Sequence, residues 1–223
     1  MSERSLILIG GGGHAKVVAD CAESSGYTIS GFVDDGESPM LAAMGFTHLG
    51  KICDLAKVLE SFKRERPVVF HAIGDNRVRR ELTESSMRQV RLAVEVGNLD
   101  CKGLAIVVHE SAVISMTAVV GCGTLVGPHA VVNASSEIGE GVIVNSGAIV
   151  EHDCVVGSFA HIGPGAVLGG GVVVGEGTLI GLGARVLPGV CVGAGVVVGA
   201  GAVVCGDVED GVVVRGVPGR VVE

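Results

Sequence analysis

Three ionisable side chains stand in a row at Glu151-His152-Asp153, and a second histidine, His161, follows nine residues after the first. An imidazole titrates near 6.5 in water, so a histidine at cell pH is neutral and can take a proton; a carboxylate beside it can orient the ring and raise its basicity. Those residue types suit general-base chemistry. Their setting is unusual, because the stretch Val144–Val172 is otherwise dominated by Gly, Ala, Ser and Val. The elements that carry the cluster must therefore turn charged residues outward from an apolar, repetitive chain.

The repeat is explicit. Stepping by six from Val108 to Val204 gives seventeen consecutive Val, Ile or Leu residues. The next residue is most often Gly, and the residue four after each aliphatic is small or β-branched, from Ala112 through Thr124 and Ser136 to Val208. A helix has a period of 3.6, so this is a hexapeptide repeat that folds as stacked β-coils. The repeat resembles that of the hexapeptide acyltransferases, in whose fold three hexads make one triangular coil, which implies between five and six coils here with no inserted loop. In that fold the aliphatic and small residues face inward, and Gly is expected to allow the corners where positive φ is needed. Glu151, His152 and Asp153 fall at the second to fourth hexad positions and can point outward, whereas Cys154 falls at the inward small position and reads as core.

The first hundred residues follow another grammar. Ser5–Ile9 reads as a strand, "GGGGHA" (Gly10–Ala15) as a loop, and His14–Ser25 as a helix closed by Gly26. "TISGFVDD" is a second strand ending at Asp34-Asp35, and "PVVFHAIGDN" a later one followed by the helical "RVRRELTESSMRQ". Strands alternating with helices imply a parallel sheet. A glycine loop between strand and helix presents N–H groups and a helix N-terminus to phosphate. Gly10, Gly12 and Ala15 also satisfy the dinucleotide fingerprint, with acids about 24 residues on, so a nicotinamide-binding reading stands beside the general phosphate-binding one.

Composition excludes other classes. Glycine, at 37 of 223 residues, rules out a helical bundle, and six prolines are too few for collagen. A net charge of −8 argues against a nucleic-acid partner, and no apolar run reaches a membrane span. Seven cysteines (21, 53, 101, 122, 154, 191 and 205) without a C-x-x-C pair argue against a zinc or redox motif and suggest reduced thiols in the cytoplasm. No metal site is expected. From Leu104 onward there is no Lys, and only Arg185, Arg215 and Arg220 face ten acids.

The hexads resemble the left-handed parallel β-helix of acyltransferases, a known exception to the right-handed crossover rule. With "LILIGGGGHAKVV", "FVDD", "IGDNRVRR", "NSGAIVEHDC", "GSFAHIGPGA" and "RGVPGR" in that order, nearly the whole chain resembles the sialic acid O-acetyltransferase family and its relatives, the nucleotide-amino-sugar N-acetyltransferases. The resemblance implies an α/β Rossmann-like sugar-nucleotide-binding domain at 1–103, a left-handed β-helix acyltransferase domain at 104–209, and a tail at 210–223 over the cofactor groove. It implies a homotrimer with acetyl-CoA between prisms, working in surface glycan synthesis. His152 matches the catalytic base and Asp153 its acidic partner, which is Glu in some relatives. For acetyl-CoA, His161 matches the contact to the thioester end, Gly170 a backbone N–H facing the thioester oxygen, and Leu182 a pantetheine contact; Arg215 and Arg220 are candidates for its phosphates. For the substrate, Gly12, Gly13 and His14 would approach the diphosphate and sugar, Asp34 and Asp35 the base and ribose, with Asn76 in the same pocket and Asn145 near the acceptor sugar. The acceptor implied is the 4-amino group of a 4-amino-4,6-dideoxy sugar of perosamine or bacillosamine type, its nucleotide left open among guanine, uracil and thymine. O-acetylation of a sialic-acid-like sugar and a non-catalytic sugar-nucleotide-binding scaffold remain as alternatives.

Overall fold

The computed structural model describes residues 4–62, 66–93 and 103–222; Cys101 lies outside them. The chain divides into two units between Val107 and Val108.

The first unit runs β1 (Arg4–Ile9), α1 (Gly13–Ser24), β2 (Tyr27–Val33), α2 (Pro39–Ala43), β3 (His48–Gly50), a 3-10 turn at Ile52–Asp54, α3 (Leu55–Ser61), β4 (Val68–His71) and α4 (Asn76–Ala93). All four strands are parallel, in the order β3-β2-β1-β4. Unbroken aliphatic runs explain this: Leu6–Ile9 are fully buried, as strands of a parallel sheet require. Helix α1 buries Ala15, Val18, Ala19 and Ala22, the i, i+3, i+4, i+7 stripe of an amphipathic helix. Ser38 caps α2, with Pro39 at its first position. Leu104 pairs with Val69, so the chain beyond residue 103 still belongs to this sheet. Strand order reverses at β1, with β2 on one side and β4 on the other, and ligands of open α/β sheets bind at the strand C-termini beside such a switch point. The loop Gly10–Gly12 leaves β1 there.

In the second unit two-residue strands recur every six residues, from Val107–Val108 to Val203–Val204, and every third strand joins the same parallel sheet. Three faces result. The first holds Ile143–Val144 and His161–Ile162, the second Ile149–Val150 and Val167–Leu168, the third Val155–Val156 and Val173–Val174. The first aliphatic of each hexad fills the prism with the small residue beside it: Val150, Cys154, Ile162, Ala166 and Leu168 are all fully buried. Each such Val, Ile or Leu contributes roughly 1.5–3 kcal/mol through burial. Hydroxyls at the small position remain satisfied, because Thr124, Ser136 and Thr178 donate to the carbonyls of Gly139, Glu151 and Gly193.

The corners differ from expectation. Positive φ falls at the fourth hexad position, not at the glycine after the aliphatic; Gly165, Gly171 and Gly177 lie there at φ 66, 70 and 66. Glycine at the second position answers a different demand. A Cβ on Gly175 would stand 2.4 Å from Ala194 N on the next coil, so coil stacking forbids a side chain.

After Val204 the register slips by two residues: Val208 pairs with Val192 and Val213 with Val197. Val208 thus takes an aliphatic strand position instead of the small one. The C-terminus is part of the prism as well. Val213–Arg215 extends the first face and turns back antiparallel through Arg220–Val222.

Candidate active site

His152 and Asp153 occupy the corner between the second and third faces. Asp153 Oδ2 stands 2.7 Å from His152 Nδ1. Asp153 holds φ +61, a conformation Asp tolerates better than most residues, at a position taken by Gly171 in the coil above and by Ser135, at φ +59, in the coil below. Its amide donates to Ala134 O one coil below, and the His152 carbonyl accepts from Gly171 N one coil above, so the backbone of the pair is pinned on both sides. With Nδ1–H donated to the carboxylate, Nε2 keeps its lone pair. Both Asp153 and, to a lesser degree, Glu151 raise the imidazole pKa above 6.5; the hydrogen bond to Asp153 is the largest cause. The side chains of the pair are 62% and 65% exposed.

Nε2 lies against Gly170. An ideal Cβ there would stand 2.6 Å from it. The Gly170 N–H makes no hydrogen bond among the described residues. One lone pair and one free backbone donor thus sit side by side, the arrangement that a proton acceptor and an oxyanion donor require. Cys154, next in sequence, points inward and its thiol donates to Gly169 O, with burial raising its pKa; it is core.

The other acetyl-CoA candidates lie elsewhere on the prism. His161 is on the first face, and its Nε2 accepts from Asn145 Nδ2 at 3.0 Å; the Asn145 oxygen accepts from Ser146 N, which fixes the amide orientation. Leu182, 61% exposed, projects from the corner that follows the first face, two coils above Ser146. Arg215 and Arg220, on the strands that extend the first face, are direct cross-strand partners, both exposed. The structure separates the candidates into two groups: His152, Asp153 and Gly170 on one corner, and Asn145, His161, Leu182, Arg215 and Arg220 on the first face and its following corner.

In the first unit a Cβ on Gly12 or Gly13 would meet nothing, so the loop is open. His14 begins α1 beside Gly74 at the end of β4; its Nε2 is buried with no partner, and burial with the nearby Arg79 charge lowers its pKa to about 4. Asp34 is largely committed to the loop itself, accepting from Gly11 N and Gly36 N at 2.7 Å each. Asp35 is exposed and accepts from Ile52 N. The Asn76 oxygen accepts from Arg79 Nη2.

Three participants escaped the sequence reading. Arg79 is 1% exposed and donates to Ile73 O and Gly74 O, shaping the end of β4, yet it looks like any other basic residue of a charged helix. His71, 3% exposed, is bonded to Ser86 and held neutral with a pKa of about 4, chiefly by burial. His48 stacks on Phe32 with ring centroids 5.0 Å apart, and its Nε2 donates to Asp34 O. That contact crosses strands and leaves no local signal. Among the described residues no group of three or more His, Cys, Asp or Glu could hold a metal, and no helix is long and apolar enough to cross a membrane.

Comparison with known proteins agrees with both units. Residues 5–86 match the PglD N-terminal domain, and residues 135–170 the bacterial transferase hexapeptide family. The structure of perosamine N-acetyltransferase from Caulobacter crescentus, solved with CoA and GDP-perosamine, is 39% identical, with a TM-score of 0.84 over 98% of this chain and 97% of that one. The acetyltransferase domain of PglB from Neisseria gonorrhoeae, in complex with acetyl coenzyme A, is 38% identical, with a TM-score of 0.83 over 99% and 100%. An uncharacterised protein of Acanthamoeba polyphaga mimivirus, L142, is 32% identical over 125 residues, 56% of this chain but only 21% of that protein. Full-length likeness at this level, carried by both units, shows that the chain belongs to the nucleotide-amino-sugar N-acetyltransferase family of hexapeptide-repeat acyltransferases.

Proposed function

We propose that the protein transfers the acetyl group of acetyl-CoA to the 4-amino group of a nucleotide-linked 4-amino-4,6-dideoxy sugar, in the cytoplasm, as a homotrimer. The observation that carries this reading is the His152 corner, where an Asp153-bound imidazole leaves Nε2 free beside an unused Gly170 N–H. The neutral amine attacks the thioester carbonyl carbon. A C–N bond forms, the carbonyl oxygen becomes an oxyanion facing Gly170 N–H, and His152 Nε2 takes the amine proton. Collapse breaks the C–S bond, and the proton passes to the departing thiolate. The 39% identity to an enzyme solved with GDP-perosamine favours a perosamine-type acceptor.

The separation of the half-sites supports the trimer. The corner bearing His152 and the face bearing His161 point away from each other on one prism, so one protomer's base meets a second protomer's His161, Leu182 and arginines. Burial between copies also removes water from a pair that is more than half exposed in a single chain. Arg215 and Arg220 take the CoA phosphates. In the first unit Gly12, Gly13 and His14 take the diphosphate at the switch point, Asp35 the ribose or base, and Asn76 lines the same pocket.

Thiol release from acetyl-CoA, measured with GDP-, UDP- and dTDP-linked 4-amino sugars and with free sialic acid, tests the reading. Fast turnover of one amino sugar, reduced about 10²- to 10⁴-fold in His152→Ala, is expected. Turnover of sialic acid alone would move the reading to O-acetylation, and full activity of His152→Ala would remove the base.

A further inference from the structure

We propose that Glu151, clamped by Asn133 one coil below, is a positioning residue that sets the charge around the His152 base. The inference rests on the acetyl-transfer reading above.

Glu151 occupies the second hexad position, where close coil stacking favours Gly at the corner after the third face. At the corner after the third face that position reads Gly121, Gly139, Gly157, Gly175 and Gly193. At the His152 corner it reads Ser115, Asn133, Glu151, Gly169 and Leu187. The chain gives up its tight-stacking residue here and places an amide under a carboxylate: Asn133 Nδ2 donates to Glu151 Oε2 at 3.1 Å, and both residues are half-buried. The Glu151 carbonyl accepts from the buried Ser136 hydroxyl at 2.8 Å. Side chain and backbone are thus both held, in a residue bonded directly to the base. One acid, Asp153, already occupies Nδ1. Glu151, held by Asn133, makes no hydrogen bond to His152 among the described residues, so it acts through space, steadying the imidazolium that forms when the amine proton arrives.

The other groups packed at this corner are uncharged: Ala134 and Ser135 below, Gly170 and Pro188 above. The nearest further charges on the adjoining faces are Glu137, paired with Val155, and Arg185, paired with Val167. Glu151 adds to the raised basicity of His152, after the contribution of Asp153.

Titration of the His152 ring by NMR in the full-length protein reads this without substrate. Glu151→Gln should move the His152 midpoint to lower pH, Glu151→Asp should restore it, and Asn133→Ala should give an intermediate value. In the acetyl-transfer assay Glu151→Gln should lower kcat about two- to fivefold, the scale of one exposed charge, with KM little changed. An unmoved midpoint in Glu151→Gln overturns the proposal, whatever the activity, and leaves the Asn133–Glu151 contact as a coil staple. Should Glu151→Gln fail to fold, Asn133→Ala decides: reduced kcat at constant KM supports the role, wild-type kcat overturns it. A parent protein inactive on every amino sugar would instead defeat the functional reading, with the ring titration still judging Glu151.

Discussion

Gly170 shows how far a single missing methyl decides the site. Its φ is not in the left-handed region, so alanine suits its backbone, and the nearest atoms a Cβ would meet among the described residues belong to the imidazole, 2.6 Å away at Nε2. Gly170→Ala should therefore melt near the wild-type temperature yet lose on the order of 10²-fold in kcat, because the ring must swing off its productive position. A wild-type kcat in that variant would mean the ring does not work from this pose. Asp153 sets the pH. It holds the folded His152 pKa above 6.5, and the base works only when neutral, so kcat/KM should rise with pH through a midpoint above 6.5; Asp153→Asn should shift that limb down. The same linkage adds stability that is complete below the unfolded pKa and lost as pH rises through the folded one, and exposure keeps it small. The His152–Asp153 contact was legible from the family resemblance, and hexad position put both residues on the outside of the prism. The Asn133–Glu151 clamp was not, since its partners lie 18 residues apart and meet only once the coil period becomes a physical stacking.

At the scale of elements, the repeat made the prism legible because six-residue periodicity fixes which residues face inward. The corner chemistry was less so: a glycine-rich sequence says that side chains are excluded, not whether dihedral strain or a neighbouring coil excludes them. Helices α2 and α3 and strand β3 were missed in the first unit because all are short, five, seven and three residues, with no sustained period to announce them. The two-residue slip after Val204 also broke the period and hid the hairpin that brings Arg215 opposite Arg220. Like charges directly opposite on an antiparallel pair destabilise it, and neither arginine has an ion-pair partner among the described residues. A polyphosphate ligand would relieve that repulsion. Arg215→Gln should raise the melting temperature of the ligand-free protein while raising the KM for acetyl-CoA severalfold, and the KM effect should shrink with added salt. A variant with unaltered KM would remove the hairpin from the cofactor site.

At the scale of the molecule, the proposed reaction is divided between two surfaces of the prism. The dyad corner holds the hydrogen-bonded His152–Asp153 pair beside Gly170; the first face and its extension hold the Asn145–His161 pair and two arginines. On this proposal neither surface completes acetyl transfer alone, and a heterologous contact that closes on itself would bring each dyad against a neighbour's first face. Such sharing makes a specific demand on mixed assemblies. A protein carrying His152→Ala and another carrying Arg215→Gln with Arg220→Gln should each be poorly active alone. Unfolded together and reassembled at equal amounts, they should regain about one quarter of wild-type activity, because a site works when an intact dyad from one copy meets an intact first face from the next. If each site belonged to a single chain, the mixture would only average its parents. Activity at that average, in trimers verified by light scattering to be mixed, would return the whole site to one protomer and undo the pairing of half-sites.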